Sequence, residues 1–273
     1  MKKNKSLLLS GPYILWMVIF TLIPLGVVLY YAMTDVETGK FTFGNLGNLM
    51  LYMPALWRSI LYSFVSALIC LLIGYPVAYY MAHCSATAQK FLYMLVMLPM
   101  CMSFLLRTLA WVGLLQDTGI INNFLASMGL PRLQLIRTPG AVILGMVYNY
   151  LPYMILPLYS IIVKIDHRLI EAAEDLGCNR LQVFARVILP LSMPGILSGM
   201  TMVFVPAVST FYISNKLGST ETVLIGDIIE RQFKQGDNAN MGAALSLLLM
   251  ILVFVCTGII NRFGGDEEGA VIV

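Results

Sequence analysis

The sequence predicts an all-α polytopic membrane protein with six transmembrane helices. Of its 273 residues, 59% are hydrophobic and only 11% are charged, a balance that soluble globular domains do not show. A bilayer core of about 30 Å calls for roughly 20 apolar residues per helical span. Six stretches meet that length, at about 12–34, 57–82, 91–113, 140–163, 192–213 and 241–261. On this reading residues 1–273 form a single membrane domain with short loops. The formal charge of +3 is small and implies no nucleic-acid partner.

Lys2, Lys3 and Lys5 precede the first span and favour a cytoplasmic N-terminus. The 12–34 run is too long for a signal-peptide core and has no small-x-small cleavage site, so it is expected to stay in the protein. With six spans both termini fall on one side, together with the polar loop 164–190. Lys and Arg are otherwise nearly balanced between the two sides. Orientation therefore rests on their clustering in the N-terminus and in that loop, at Lys164, Arg168, Arg180 and Arg186.

Five of the spans carry proline: Pro24, Pro76, Pro99, the Pro152/Pro157 pair and Pro206. Each removes a backbone donor and favours a kink that neighbouring helices must accommodate. Gly74-Tyr75-Pro76 permits a close backbone approach followed by a bend. The stretch 114–139 reads as an external excursion with a short amphipathic helix around 120–128. The connection 214–240 contains a half-buried helix over 225–233, with Asp227, Glu230 and Arg231 on one side. Five cysteines without a CxxC pair imply neither a disulfide framework nor a metal site. His83 and His167 lie in polar connections and read as solvated loop histidines.

The loop 164–190 is the most informative segment. Asp166 is a candidate N-cap for a short helix carrying Leu169, Ile170, Ala172, Ala173 and Leu176 along one side. Gly177 supplies a left-handed or sharply bent backbone that ends it. Asn179 and Gln182 form a capping-box pair for a second helix. Pro190 is expected to stop that helix, and Pro194 to open the next apolar run. The product is a small L-shaped hairpin with an alanine-floored knob.

Glu171-Ala172-Ala173, Gly177 and Val187-Ile188-Leu189-Pro190, extended by Pro194-Gly195-Ile196, resemble the EAA loop of permease subunits of binding-protein-dependent ABC importers. The departures, Cys178 where alanine is usual and Val187 for isoleucine, are mild. The resemblance implies a type I ABC importer permease fold, with 164–190 as a coupling helix seated in a groove of a cytoplasmic ATPase. Glu171, Ala172, Ala173, Leu176 and Gly177 are then the ATPase-coupling residues. Further stretches are similar to the first permease subunit of spermidine/putrescine importers. They are 103–111 with Gly119-Ile120-Ile121-Asn122, 151–159, Val205-Pro206-Ala207, Phe211-Tyr212-Ile213-Ser214, Leu224-Ile225-Gly226 and Gln232-Phe233. One departure is Pro99-Met100-Cys101-Met102, where that family often places a tryptophan.

The partners so implied are a second permease in a heterodimer, two cytoplasmic ATPase subunits, an extracytoplasmic polyamine-binding protein and the lipid bilayer. No Walker-type phosphate loop, HExxH or GxSxG occurs; Gly39-Lys40 is followed by Phe41. The chain is thus a transport subunit without a cofactor of its own, with ATP and Mg on the partner ATPase. A polyamine passage should offer carboxylates and aromatic faces. Trp111, Tyr148, Tyr212, Asp227 and Glu230 are the candidate passage residues, with Tyr150, Tyr153 and Asp117 nearby. Membrane-belt or core packing is the competing role for each ring. Arg107 would repel a polyamine if it faced the passage, and a structural bond to backbone or carboxylate is the reading preferred here. The remaining alternatives are the same machine with another small solute as cargo, a secondary transporter or channel with no use for a docking hairpin, and an intramembrane enzyme.

Overall fold

The computed structural model describes residues 13–35, 40–42, 44–234 and 238–262. Among them the chain is helical, apart from short connections and one antiparallel bridge between Thr34 and Phe41. The Lys2, Lys3 and Lys5 cluster, Gly39 and the tail from Gly264 lie outside the described residues. Five helices are long and apolar enough to cross a membrane, and a bent pair supplies a sixth candidate. The chain divides into two compact units, Met1–Leu56 with Ile228–Leu252 and Trp57–Asp227 with Val253–Val273.

The first unit opens with α1, Tyr13–Ala32, an apolar helix that buries little beyond Ala32. A π turn at Val18–Leu22 lets the Ile23 N–H reach back to the Val18 carbonyl. Pro24 therefore places its missing N–H where the ladder has already shifted spacing. After α1 the chain turns back, with the Asp35 N–H donating to Lys40 O at 3.0 Å and the Thr42 N–H to Met33 O at 2.9 Å. Buried Asn240, at the start of α12 (Ala239–Arg262), donates to the Thr34 carbonyl at 2.6 Å. That bond ties the last long helix to the end of the first.

The second unit contains α2 (Met53–Ala82, from Trp57), α3 (Ala86–Met97), α4 (Phe104–Leu115), α5 (Ile120–Ser127) and α6 (Pro139–Ile162). It continues with α7 (His167–Asp175), α8 (Arg180–Leu191), α9 (Met193–Val208), α10 (Tyr212–Leu217) and the start of α11 (Ile225–Lys234). α6 and α9 form its most extensive helix pair. Met146, Met154 and Leu158 of α6 are fully buried with Val203 and Ala207 of α9 and Ala67, Cys70 and Ala78 of α2. Small residues at these crossings let backbones meet, which matters where lipid offers no hydrophobic drive. Gly74 serves the close approach expected of it, since a Cβ there would stand 3.1 Å from Met154 Cγ. Pro152 and Pro157 both sit inside an unbroken α6. Asn122, fully buried, exchanges two 2.9 Å bonds with the Leu133 main chain and so pins the connection between α5 and α6.

Three expectations change. The stretch 91–113 is not one span: α3 gives way to a 3₁₀ turn at Leu98–Cys101, and Met102 and Ser103 are extended before α4 begins. Pro99 removes a donor there, and Phe104–Ser127 becomes the candidate span instead, taking in part of the expected external excursion. The stretch 192–213 ends as a helix at Val208 and resumes as α10. Pro190 does not stop α8, because a π turn at Phe184–Ile188 carries the helix on to Leu191. The stop falls at Ser192, where α8 and α9 meet at 62°.

Gly226 opens α11 against the α9–α10 link. A Cβ there would lie 2.5 Å from Thr210 O and 2.9 Å from Ser209 O, both backbone atoms that no rotamer change can move. Gly226→Ala should destabilise the second unit by about 1–3 kcal/mol. The expected result is a lower thermal midpoint for the protein in detergent; an unchanged midpoint contradicts the close approach.

Candidate functional site

The elbow 164–190 is built from three local devices. Asp166 caps α7, its carboxylate accepting from the Arg168 N–H at 3.0 Å. The helix ends in a Schellman motif: the Gly177 N–H donates to Glu174 O at 2.8 Å and the Cys178 N–H to Ala173 O at 3.1 Å. Gly177 has φ of +85°, a conformation in which a Cβ is strained. Asn179 and Gln182 then form a reciprocal capping box with both bonds at 2.9 Å. The backbone direction is thus set by residues that leave little freedom between the two arms.

Packing separates the apolar residues of α7. Ala173 is buried with Val183 and Ile188 of α8, and Ile165, Ile170, Cys178, Phe184, Val187 and Tyr79 close over that cluster. Cys178 holds the position where a Schellman motif commonly makes its apolar contact. Leu169, Ala172 and Leu176 share a different face, spaced i, i+3 and i+7, and all are exposed. The single apolar side expected from sequence is therefore two, one turned inward and one outward. Leu176 is 85% exposed, and Leu181 of α8, also outside the cluster, is 79% exposed. Glu171 is exposed on α7 with its carboxylate 3.4 Å from His167 Nδ1.

The inward face leads into the membrane helices. The Phe184 ring meets Tyr75 and Tyr79 of α2 edge-on, at centroid distances of 5.5 and 6.3 Å. Tyr75 and buried Ser192 lie 2.8 Å apart, oxygen to oxygen. The Ser192 hydroxyl donates its proton to Leu189 O at 2.9 Å, so Tyr75 must be the donor to Ser192. Sequence reasoning missed this linkage. The available signal was the i,i+4 pair Tyr75 and Tyr79 near the end of a long apolar span.

Each candidate passage residue has a local partner. Trp111 and Tyr148 pack edge-on at 5.4 Å. Tyr212 contacts Phe104 at 6.2 Å, and Phe104 in turn stacks on Tyr150 at 6.5 Å. The Lys216 ammonium lies 5.8 Å from the Tyr212 ring centroid, within cation–π range. Asp227 accepts from the Leu224 N–H at 2.9 Å, and Glu230 pairs with Lys234 at 2.6 Å. Among the described residues no three His, Cys, Asp or Glu side chains gather as a metal set would require.

Residues 71–263 match the family described as binding-protein-dependent transport system inner membrane component. The chain belongs to this family. It is 40% identical over 253 residues to the spermidine/putrescine transport system permease protein PotB of Haemophilus influenzae, covering 88% of each chain. It is 36% identical over 247 residues to the protein of the same name in Escherichia coli, covering 87% of this chain and 90% of that one. Its fold matches a bacterial ABC transporter that imports alginate, with TM-score 0.81, 18% identity and coverage of 98% and 99%. The methionine ABC transporter MetNI in an inward-facing form matches with TM-score 0.60, 19% identity and coverage of 79% and 95%. The chain is therefore a multi-pass membrane component of a transport system, with the type I ABC importer permease fold.

The elbow's stiffness is open to direct measurement. Gly177→Ala places a Cβ in the left-handed region, at a cost of about 1–2 kcal/mol. Amide exchange across Cys178–Val183 should then quicken about tenfold, whereas the distant α6 should be unaffected. Equal exchange in both proteins contradicts a turn governed by Gly177.

Proposed function

We propose that this chain is one membrane subunit of an ATP-driven importer that carries polyamines of the spermidine/putrescine type into the cytoplasm. The cargo reading rests on the identity to PotB proteins across most of both chains. The coupling reading rests on one observation above all: a doubly capped elbow that turns Leu169, Ala172, Leu176 and Leu181 outward, away from its own apolar cluster.

In this reading the elbow seats in a groove of a cytoplasmic ATPase, and the outward residues are what the groove covers. Glu171 lies beside them and is placed to accept from a partner group. Ala173 and Gly177 act within the elbow, holding its arms together and setting its bend. Movement of the groove passes from Phe184 to Tyr75 and Tyr79 and through the Ser192 break into α9. Switching a two-state equilibrium from 1:99 to 99:1 takes about 5.5 kcal/mol, and a stiff elbow loses less of that to local bending. Two ATPase copies supply the energy and hold ATP and Mg; this chain binds no cofactor. A second, non-identical permease and an extracytoplasmic polyamine-binding protein complete the assembly. The chain then sits in the bacterial inner membrane with both termini cytoplasmic, and makes no contact with nucleic acid. Trp111, Tyr148 and Tyr212 offer ring faces along the passage, with Asp227 and Glu230 at its outer end.

The test uses the complete complex in vesicles. Ala173→Asp buries a carboxylate in the elbow cluster and Gly177→Asp strains its turn; both should insert normally and abolish uptake. Leu176→Asp deletes no capping hydrogen bond, since those of the turn are backbone bonds, but removes an outward contact, and should lower ATPase docking and uptake about 10- to 100-fold. Normal uptake in all three variants disproves the coupling role. Uptake of labelled spermidine and of labelled putrescine tests the cargo, and failure of both to be carried would refute a polyamine substrate.

A further inference from the structure

Phe184 bears on α2 through Tyr75 and Tyr79, so the way α2 ends decides what becomes of a push from the elbow. A helix leaves its final carbonyls without intrahelical partners. Here the His83 N–H donates to Tyr80 O at 3.2 Å and the Cys84 N–H to Met81 O at 3.3 Å. The His83 ring packs on Tyr79 at 4.2 Å, with Nδ1 2.8 Å from the Tyr79 carbonyl. Gln89, near the start of α3, reaches back to the same turn. Its Nε2 donates to Ala82 O and to Cys84 O, both at 3.0 Å. Both amide protons are thereby used, and the other end of the side chain must be the oxygen.

That oxygen has a long-range partner. Gln89 Oε1 accepts from the Tyr159 hydroxyl of α6 at 3.2 Å, across 70 positions of sequence. Tyr93, one turn after Gln89, meets the same Tyr159 ring at 6.0 Å. Gln89 and Tyr159 are both half-buried, where water competes less well for such a bond. Capping α2 requires only the amide nitrogen; the bond to Tyr159 is additional and ties the end of α2 to the last turn of α6. The elbow leaves α6 just after Ile162 and comes back onto α2 at Phe184. Gln89 therefore completes a ring that runs from α6 through the elbow to α2 and back to α6. Were the two helix ends free to part, displacement of the elbow would go into separating them.

We propose that Gln89 is a positioning residue for coupling, which holds the elbow-side ends of α2 and α6 together so that elbow motion moves both helices as one body. The inference rests on the coupling role proposed above and adds a brace, α3, that lies outside the elbow and outside its docking face. Gln89 acts through Tyr159 and through the carbonyls that end α2; it touches neither cargo nor ATPase. Loss of the brace leaves the motor running while less of its stroke reaches the spanning helices.

The experiment uses the complete complex in vesicles and reads labelled spermidine taken up per ATP hydrolysed, with the binding protein present. If the wild type shows no uptake or no stimulated hydrolysis, the importer reading itself fails. If it passes, Tyr159→Phe deletes the hydroxyl bonded to Gln89 and keeps the ring beside Tyr93, whereas Gln89→Leu deletes the bridge and the cap together. Each should lower uptake per ATP about fivefold while hydrolysis stays near the wild-type rate. The double variant should be no worse than Gln89→Leu alone, because both changes break one link. A merely structural role removes working complexes and so lowers uptake and hydrolysis in proportion, which overturns the proposal. An unchanged ratio in Tyr159→Phe also overturns it, whatever Gln89→Leu does, since Gln89 would then only cap α2.

Discussion

The mechanical coherence of the second unit depends on Ser192. The residue is fully buried at the 62° break between α8 and α9, where a helix would ordinarily leave unsatisfied backbone groups in an apolar surrounding. Its N–H still reaches Ile188 O at 2.9 Å, its carbonyl accepts from the Ile196 N–H at 3.0 Å, and its hydroxyl donates to Leu189 O. Pro194 has no N–H to satisfy. The Ser192 hydroxyl oxygen also accepts from Tyr75 of α2. A bend that would otherwise be a weak point is thereby bonded within α8 and α9 and to a third helix.

That closure gives the elbow the stiffness that the proposed coupling role calls for. Motion applied to α7 or α8 meets a Schellman turn, a capping box and the Ala173–Val183–Ile188 cluster before it meets anything soft. Phe184 then bears on two tyrosines of α2. The π turn at Phe184–Ile188 lies within this contact region, and π bulges are often found at functional positions because they re-aim side chains without ending a helix. Here the turn carries α8 past Pro190 and so delays the break to the residue that Tyr75 can bond.

Several buried polar groups of the interior are satisfied locally, and helices meet through small residues. The Ser59 hydroxyl accepts from the Ile225 N–H at 2.8 Å and Asn149 donates to Gly145 O at 2.9 Å. Ser63 Oγ, Asn149 Oδ1 and the Arg107 Nε and Nη1 atoms are buried without a hydrogen-bond partner, and the guanidinium is the costliest of these because it is charged.

Much of the elbow was legible in the sequence because its devices are local. Asp166, Gly177, Asn179 and Gln182 act through bonds that span two to five residues, and their residue types admit few backbone solutions. The spans were legible from composition, since roughly 20 apolar residues in a row have one stable use. The break at Met102–Ser103 was not, because Pro99 sits in a run as apolar as any other, and hydropathy does not report where a helix ladder fails. Nor could periodicity divide Ala173 from Leu176, which lie on adjoining faces of one short helix; only the presence of α8 on one side makes one buried and the other free. Sequence alone therefore determined the membrane class and the capped elbow, because each depends on residue type and short spacing. Tertiary structure decided the link from Phe184 through Tyr75 to Ser192 and the buried place of Arg107, because those depend on contacts between residues 37 (Trp111 to Tyr148) to 117 (Tyr75 to Ser192) positions apart and no local preference encodes them.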